Sequence, residues 1–193
     1  WNKWDRDIAF REPKAISYYT AVLKEEIEKE CLAQYEFFCS WKALSEYAEG
    51  KRIRLIGDMP LYVAHDSADT WALPHLFKLD KEGSPAVVAG VPPDYFSKDG
   101  QLWGNPVYDW EAMEADKFSW WVNRLGHLKK LFHFIRIDHF RGLESFWEVD
   151  SKEKTAVKGT WVKAPGENLL GTVTKKHKDI SLIAEDLGII TRE

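Results

Sequence analysis

The sequence predicts an α/β fold, a partial (β/α) barrel with inserted loops, from three observations. Two apolar runs, Phe134-Ile135-Arg136-Ile137-Asp138-His139 and Ser181-Leu182-Ile183-Ala184-Glu185-Asp186, each end in a carboxylate where the run meets a turn. Parallel strands buried on both faces read as near-continuous hydrophobic stretches, and barrel chemistry sits in the loops beyond their C-terminal ends. Strand-like and helix-like segments also alternate along the chain, as they do when helices connect parallel strands. Finally, 193 residues suffice for one domain with a core, whereas a complete barrel takes about 250. The chain, running from Trp1 to Glu193, is therefore expected to be an internal fragment of a single catalytic barrel domain, with N-terminal and C-terminal strands missing.

Taken in order, a helix is predicted from about Ala15 to Glu49, with a possible interruption, carrying Tyr35, Phe38, Trp41, Leu44 and Tyr47 at helical spacing on one face. Gly50 is its natural stop, and the run Lys24 to Glu30 reads as a solvated face with Glu and Lys pairing. Ile53 to Gly57 is a short β-rich run ending at Asp58-Met59-Pro60, where proline ends the ladder. A long insertion follows, about 59–133, whose part from Pro74 to Pro106 is dense in Pro, Gly and Asp with weak periodicity. Long ordered loops are more often functional than decorative. Asp109 can cap a helix from Trp110, and Phe118, Trp121, Val122, Leu125, Leu128 and Leu131 continue a helical stripe. After the strand ending at Asp138 come Glu144 to Glu148, a polar stretch with Gly159, a turn at Pro165-Gly166, a helix from about Glu167 to Lys176, and a strand from Ile180 to Ala184.

Composition excludes several function classes. Lys plus Arg at 27 against Asp plus Glu at 31 gives a net charge of -4, with both signs mixed along the chain, so nucleic acid is not an expected partner. The sequence contains no apolar stretch of the roughly 18 residues that a membrane span needs, and the expected compartment is the cytoplasm. Cys31 and Cys39 lie about two helical turns apart, roughly 12 Å along the axis, too far to pair with each other. No CxxC, HExxH, GxSxG, Walker or GxGxxG motif occurs. His65, Asp66, Asp69 and His75 lack metal-ligand spacing and read as a polar loop, so neither metal nor cofactor is expected.

The carboxylates carry the chemical reading. Side chains alternate along a strand, so Arg136 and Asp138 share a face, while Ile135, Ile137 and His139 take the other. A guanidinium beside a carboxylate holds it ionised, as a nucleophile requires. The same spacing serves equally for a buried ion pair that ties strands together. Glu185, behind Ile183 and Ala184, would sit in a more apolar setting and donate a proton to a leaving oxygen. Such a pair of carboxylates is the equipment of glycoside chemistry. Asp58 is a third strand-end carboxylate. Trp103, Tyr95 and Phe96 lie in the insertion among polar neighbours, where aromatic faces can stack on sugar rings. Trp41, Trp120, Trp121 and Trp147 are assigned to packing.

Five ordered motifs carry a specific resemblance: Gly57-Asp58-Met59-Pro60-Leu61-Tyr62-Val63-Ala64, Gly90-Val91-Pro92-Pro93-Asp94-Tyr95-Phe96, Leu102-Trp103-Gly104-Asn105-Pro106, Arg136-Ile137-Asp138-His139-Phe140-Arg141-Gly142 and Ala184-Glu185-Asp186-Leu187-Gly188. From about Tyr35 onward the chain resembles the 4-α-glucanotransferases called amylomaltases or disproportionating enzymes. The resemblance implies a retaining transferase of α-1,4-glucans and maltooligosaccharides on a (β/α)8 TIM barrel with inserted subdomains. It further implies that Asp138 is the nucleophile, that Glu185 is the general acid/base, and that Asp58 and Arg136 bind around the -1 sugar. Tyr95 and Phe96 would lie over the acceptor groove, with Trp103 near the acceptor subsites. The family's third catalytic carboxylate would fall beyond Glu193, so this fragment alone is expected to be inactive. Two rival readings are a plain α-glucan hydrolase of the amylase type and a non-catalytic glucan-binding barrel.

Overall fold

The two carboxylate-tipped runs form adjacent strands of one parallel sheet in the computed structural model, which describes residues 1–185. Helices α1 (Arg6–Ala9), α2 (Pro13–Val22) and α3 (Lys24–Gly50) precede strand β1 (Ile56–Pro60). Then come α4 (Ala68–Ala72), a 3₁₀ turn at Pro74–Leu76, strands β2 (Val87–Val91) and β3 (Gln101–Pro106), and helices α5 (Trp110–Ala115) and α6 (Ser119–Leu131). Strand β4 (Phe134–Asp138) leads into a second 3₁₀ turn at Phe140–Leu143, followed by β5 (Ser145–Asp150), β6 (Thr160–Lys163), α7 (Gly166–Lys176) and β7 (Leu182–Ala184).

Strands β1, β4 and β7 form the parallel sheet in that order, with Asp58 opposite Arg136 and Pro60 opposite Asp138. Alternation sorts their side chains as predicted. Met59, Ile135 and Ile137 are buried in one core with Trp121 and Leu125 of α6 and Leu169 and Val173 of α7. The opposite face carries Asp58, Arg136 and Asp138. Gly57 is required by the close approach of α6's C-terminal end, since a Cβ there would lie 2.3 Å from Phe132 Cδ2. This mixed α/β architecture with a parallel sheet is the class the sequence predicts.

Several elements differ in detail. The predicted first helix is two helices, broken at Leu23 (φ -98°, ψ 23°). Its aromatic stripe is largely open: Tyr35, Phe38, Leu44 and Tyr47 are exposed, because α3 meets α6 along a narrow strip. There the Trp41 indole donates to Leu131 O at 3.0 Å and Phe38 packs edge-on against His127. Exposed Lys24 pairs with Glu28 at 3.7 Å, in keeping with a solvated face. The strand placed at Ile53 to Gly57 instead runs Ile56–Pro60, since Arg52 at φ 61° still belongs to the turn after α3. Pro60 is tolerated there because β1 is an edge strand of the sheet formed by the described residues.

The largest departure lies in the segments read as irregular. Strands β2, β3, β5 and β6 make a four-stranded antiparallel sheet in the order β3-β2-β5-β6. The prolines and glycines between 74 and 106 obscure two of its strands, and the polar run around Gly159 obscures β6. Gly159 is enclosed by Trp147, whose indole donates to Ala156 O at 2.8 Å. Helix α5 is capped by Asp109, whose Oδ1 accepts from Ala112 N at 3.0 Å. The stripe from Phe118 then forms a separate helix, because Lys117 and Phe118 turn left-handed at φ 60° and 56°. The end of the fifth motif, residues 186–188, lies outside the described residues.

Candidate active site

Register puts Asp58 beside Arg136, and two-residue alternation puts Asp138 on the same face. The Arg136 guanidinium joins all three strands of the parallel sheet. Its Nη1 donates to Asp58 Oδ1 at 2.6 Å and lies 3.0 Å from Asp138 Oδ1, while Nη2 donates to Glu185 Oε1 at 2.7 Å. Hydrogen bonding to Asp58 is the largest of several influences that raise the Arg136 pKa above its ordinary value, with burial opposing it. A planar fork of donors suits this bridging better than a point charge would.

The carboxylates are unequally sheltered. The Asp58 side chain is 65% exposed, Asp138 47% and Glu185 14%. Glu185 is not in the apolar setting expected from Ile183 and Ala184. Beyond Arg136, its Oε2 accepts the His139 backbone N–H at 2.5 Å, so its shelter is polar and ion-paired. The register pairs Arg136 with Ile183, so two-residue alternation carries Glu185 onto the face of Arg136 and Asp138 rather than into the core. Asp138 and Glu185 thus sit on one rim, linked through a single guanidinium. This arrangement offers one exposed and one sheltered carboxylate to a substrate lying across the strand ends.

His139 breaks the strand alternation that placed it away from Asp138, because its backbone is left-handed (φ 56°, ψ 44°). Its ring packs edge-on against Trp103 with centroids 4.8 Å apart, and tilted against Tyr62 at 6.3 Å. Burial lowers the imidazole pKa below its ordinary value against the opposing influence of Asp138. Tyr62 stacks on Tyr108 at 5.7 Å, and the buried Tyr108 hydroxyl donates to Leu61 O at 2.6 Å. His139 and Tyr62 were not singled out as site residues. The available signal was their place immediately after Asp138 and just beyond Asp58, within two of the quoted motifs.

Trp103 therefore lies next to the carboxylate rim, through His139. Tyr95 and Phe96 do not. They occupy the loop between β2 and β3, 97% and 92% exposed, packed edge-on against each other at 5.6 Å. Asp94 Oδ1 orders that loop by accepting from Phe96 N at 2.8 Å and Ser97 N at 2.7 Å. Elsewhere, the His65 ring meets Gly83 O at 2.7 Å, and Asp69 accepts from the Trp120 indole at 2.9 Å. Among the described residues, no group of three His, Cys, Asp or Glu could hold a metal ion, and no helix is long and apolar enough to cross a membrane. Trp120 and Trp121 are buried and Trp41 and Trp147 partly so, as packing requires.

A family model described as 4-alpha-glucanotransferase matches residues 1–193. The 4-alpha-glucanotransferase of Thermus thermophilus is 50% identical over 193 residues, spanning 100% of this chain and 39% of that protein. That of Clostridium butyricum is 49% identical over 194 residues, spanning 100% and 40%. The amylomaltase from Streptococcus agalactiae in complex with acarbose superposes with a TM-score of 0.95 at 44% identity, covering 99% of this chain and 39% of that one. The chain thus spans about 40% of the length of the relatives it matches.

Proposed function

Because the chain belongs to the 4-alpha-glucanotransferase family, we propose that the full-length protein transfers α-1,4-glucan segments between maltooligosaccharides by a retaining double displacement. The observation that carries this reading is the Arg136 guanidinium, which joins Asp58, Asp138 and Glu185 on one rim. Asp138 attacks the anomeric carbon of the -1 sugar while Glu185 protonates the departing glycosidic oxygen, giving a covalent glycosyl-enzyme. Glu185, now a carboxylate, takes the proton from an acceptor sugar's hydroxyl as that oxygen attacks the same carbon and frees Asp138. Arg136 and Asp58 hold the -1 sugar, and Arg136 keeps the two catalytic carboxylates oriented. Trp103 stacks on the first acceptor sugar, and Tyr95 and Phe96 grip the glucan from the β2–β3 loop.

The exposure of the two carboxylates supports this division of roles. The more exposed Asp138 is open to a sugar carbon, whereas the sheltered Glu185 exchanges its proton away from bulk water. A glucan-binding barrel without chemistry has no need of two carboxylates held by one arginine. We place the protein in the cytoplasm; the relative from Solanum tuberosum is named chloroplastic/amyloplastic. The test is incubation of the full-length protein with maltotriose. Glucose together with chains longer than the substrate supports transfer, whereas a hydrolase makes no product longer than maltotriose.

A further inference from the structure

The ladder between β4 and β7 ends on a side chain. Ile135 N donates to Ser181 O at 3.0 Å and Glu185 N to Ile137 O at 3.3 Å, among the evenly spaced, slanted bonds of a parallel pair. Advancing the β4 donors by two residues at a time from Ile135 N on Ser181 O makes His139 N the donor at the rung of residue 185. At this rung the His139 N–H donates to the Glu185 carboxylate Oε2 at 2.5 Å. The other oxygen is taken by Arg136, so β4 and the residue that closes it hold both oxygens of Glu185.

The donor occupies a conformation that few side chains accept. His139 at φ 56° is left-handed, a region where histidine is more frequent than most residues but still uncommon. Such backbone persists when its surroundings over-determine it. Here the ring is flanked by Trp103 and Tyr62. Gly142 closes the remaining side, since a Cβ there would come 2.8 Å from His139 Cδ2 and 2.4 Å from Leu61 Cδ2. The aromatic wall beside the site therefore fixes the ring, the ring fixes the left-handed turn, and the turn aims an amide at Glu185.

We propose that His139 is a positioning residue, whose left-handed backbone holds Glu185 in the orientation that delivers its proton to the leaving oxygen. This rests on the assignment of Glu185 as acid/base. The imidazole itself transfers no proton in this scheme.

Two substitutions separate backbone from ring in the full-length protein. His139→Gly and His139→Ala both delete the imidazole, but only alanine resists the left-handed turn. Each is assayed with maltotriose, whose leaving oxygen needs a proton, and with α-maltosyl fluoride plus azide. In the second reaction the C–F bond breaks as Asp138 attacks, fluoride leaves without a proton, and azide displaces Asp138 without a base. His139→Ala is expected to fall about 10-fold below His139→Gly on maltotriose, with the two within about twofold on the fluoride–azide reaction. His139→Asn, which tolerates the left-handed region, should side with glycine.

Equal rates for alanine and glycine on maltotriose overturn the proposal. So does an alanine deficit of the same size in both reactions, which a purely structural role produces. Should His139→Ala fail to fold, His139→Asn against His139→Gln gives the same contrast. Glu185→Ala is the control: it must lose maltotriose transfer and keep the azide reaction. If it does not, the acid/base assignment itself is wrong and the positioning role falls with it.

Discussion

Arg136 Nη2 and Glu185 Oε1 meet at 2.7 Å across adjacent parallel strands, although 49 residues separate the two in sequence. The same guanidinium reaches Asp58 across the other neighbouring strand. With the roles proposed for Asp138 and Glu185, carboxylates joined in this way are arranged before substrate arrives, so little reorganisation is needed during reaction. The geometry depends on a fork of donors, and the consequences of replacing it are specific.

Arg136→Lys in the full-length protein should lower kcat for maltotriose disproportionation by about 100-fold, because misplacement by about 1 Å can carry that cost. Lysine keeps the charge but cannot hold carboxylates on two sides in one plane. Stability should change by about 1 kcal/mol or less, as expected for partly exposed pairs. Kinetics and thermal melts on the same preparation check both halves; a lysine variant with near-normal kcat would remove the fork from the mechanism.

His139 makes stability depend on pH. Burial holds its folded pKa below the ordinary 6.5, with Arg141 acting in the same direction and Asp138 against it. The unfolded chain therefore takes up the proton first. This contribution to stability is complete above about pH 6.5 and is lost as pH falls from there toward the folded value. Denaturant midpoints of wild type and His139→Asn, compared from about pH 7.5 to 5, should show a shallower acid-side decline in the variant. Parallel declines would contradict the lowered pKa of the partly buried imidazole.

Tyr108→Phe should cost about 1 kcal/mol. Its buried hydroxyl donates to Leu61 O, but Arg124 Nη1 lies 3.3 Å from the same carbonyl and keeps it partnered. Tyr108→Ala should cost about 3–5 kcal/mol through the cavity it leaves, and by releasing the stacked Tyr62, whose ring packs against Trp103 at 6.3 Å, it should also raise the acceptor KM. Chemical denaturation measures the first two, and acceptor titration the third.

Tyr95→Ala and Phe96→Ala should leave the melting temperature unchanged, since both rings are almost wholly exposed. Their effect is expected on acceptor KM, by several-fold, each stacked ring contributing about 1 kcal/mol. Trp103→Ala should raise acceptor KM and also lower stability, because its ring supports His139. A melting-temperature loss for Tyr95→Ala would show that the loop packs against something else in the full-length protein.

The parallel sheet and its charged rim were legible because strand alternation and strand-end carboxylates are local signals. Ile135 and Ile137 go inward and Arg136 and Asp138 share a face for the same two-residue reason. Two things were not legible. The antiparallel sheet depends on pairings such as Val88 with Val149 and Phe146 with Val162, which no single segment announces among its glycines and prolines. The polar shelter of Glu185 depends on Arg136 and on the His139 amide from another strand, while the neighbours Ile183 and Ala184 point to an apolar one. His139 was misplaced because one left-handed residue cancels the alternation rule.

The most direct test is to trap the covalent intermediate in the full-length protein with a 5-fluoro-α-glucosyl fluoride donor and locate the sugar by peptide mass spectrometry. Double displacement with the roles given above predicts the label on Asp138, and transfer products that keep the α configuration. A label on Glu185 or Asp58, or the absence of any adduct together with β-configured products, would contradict it.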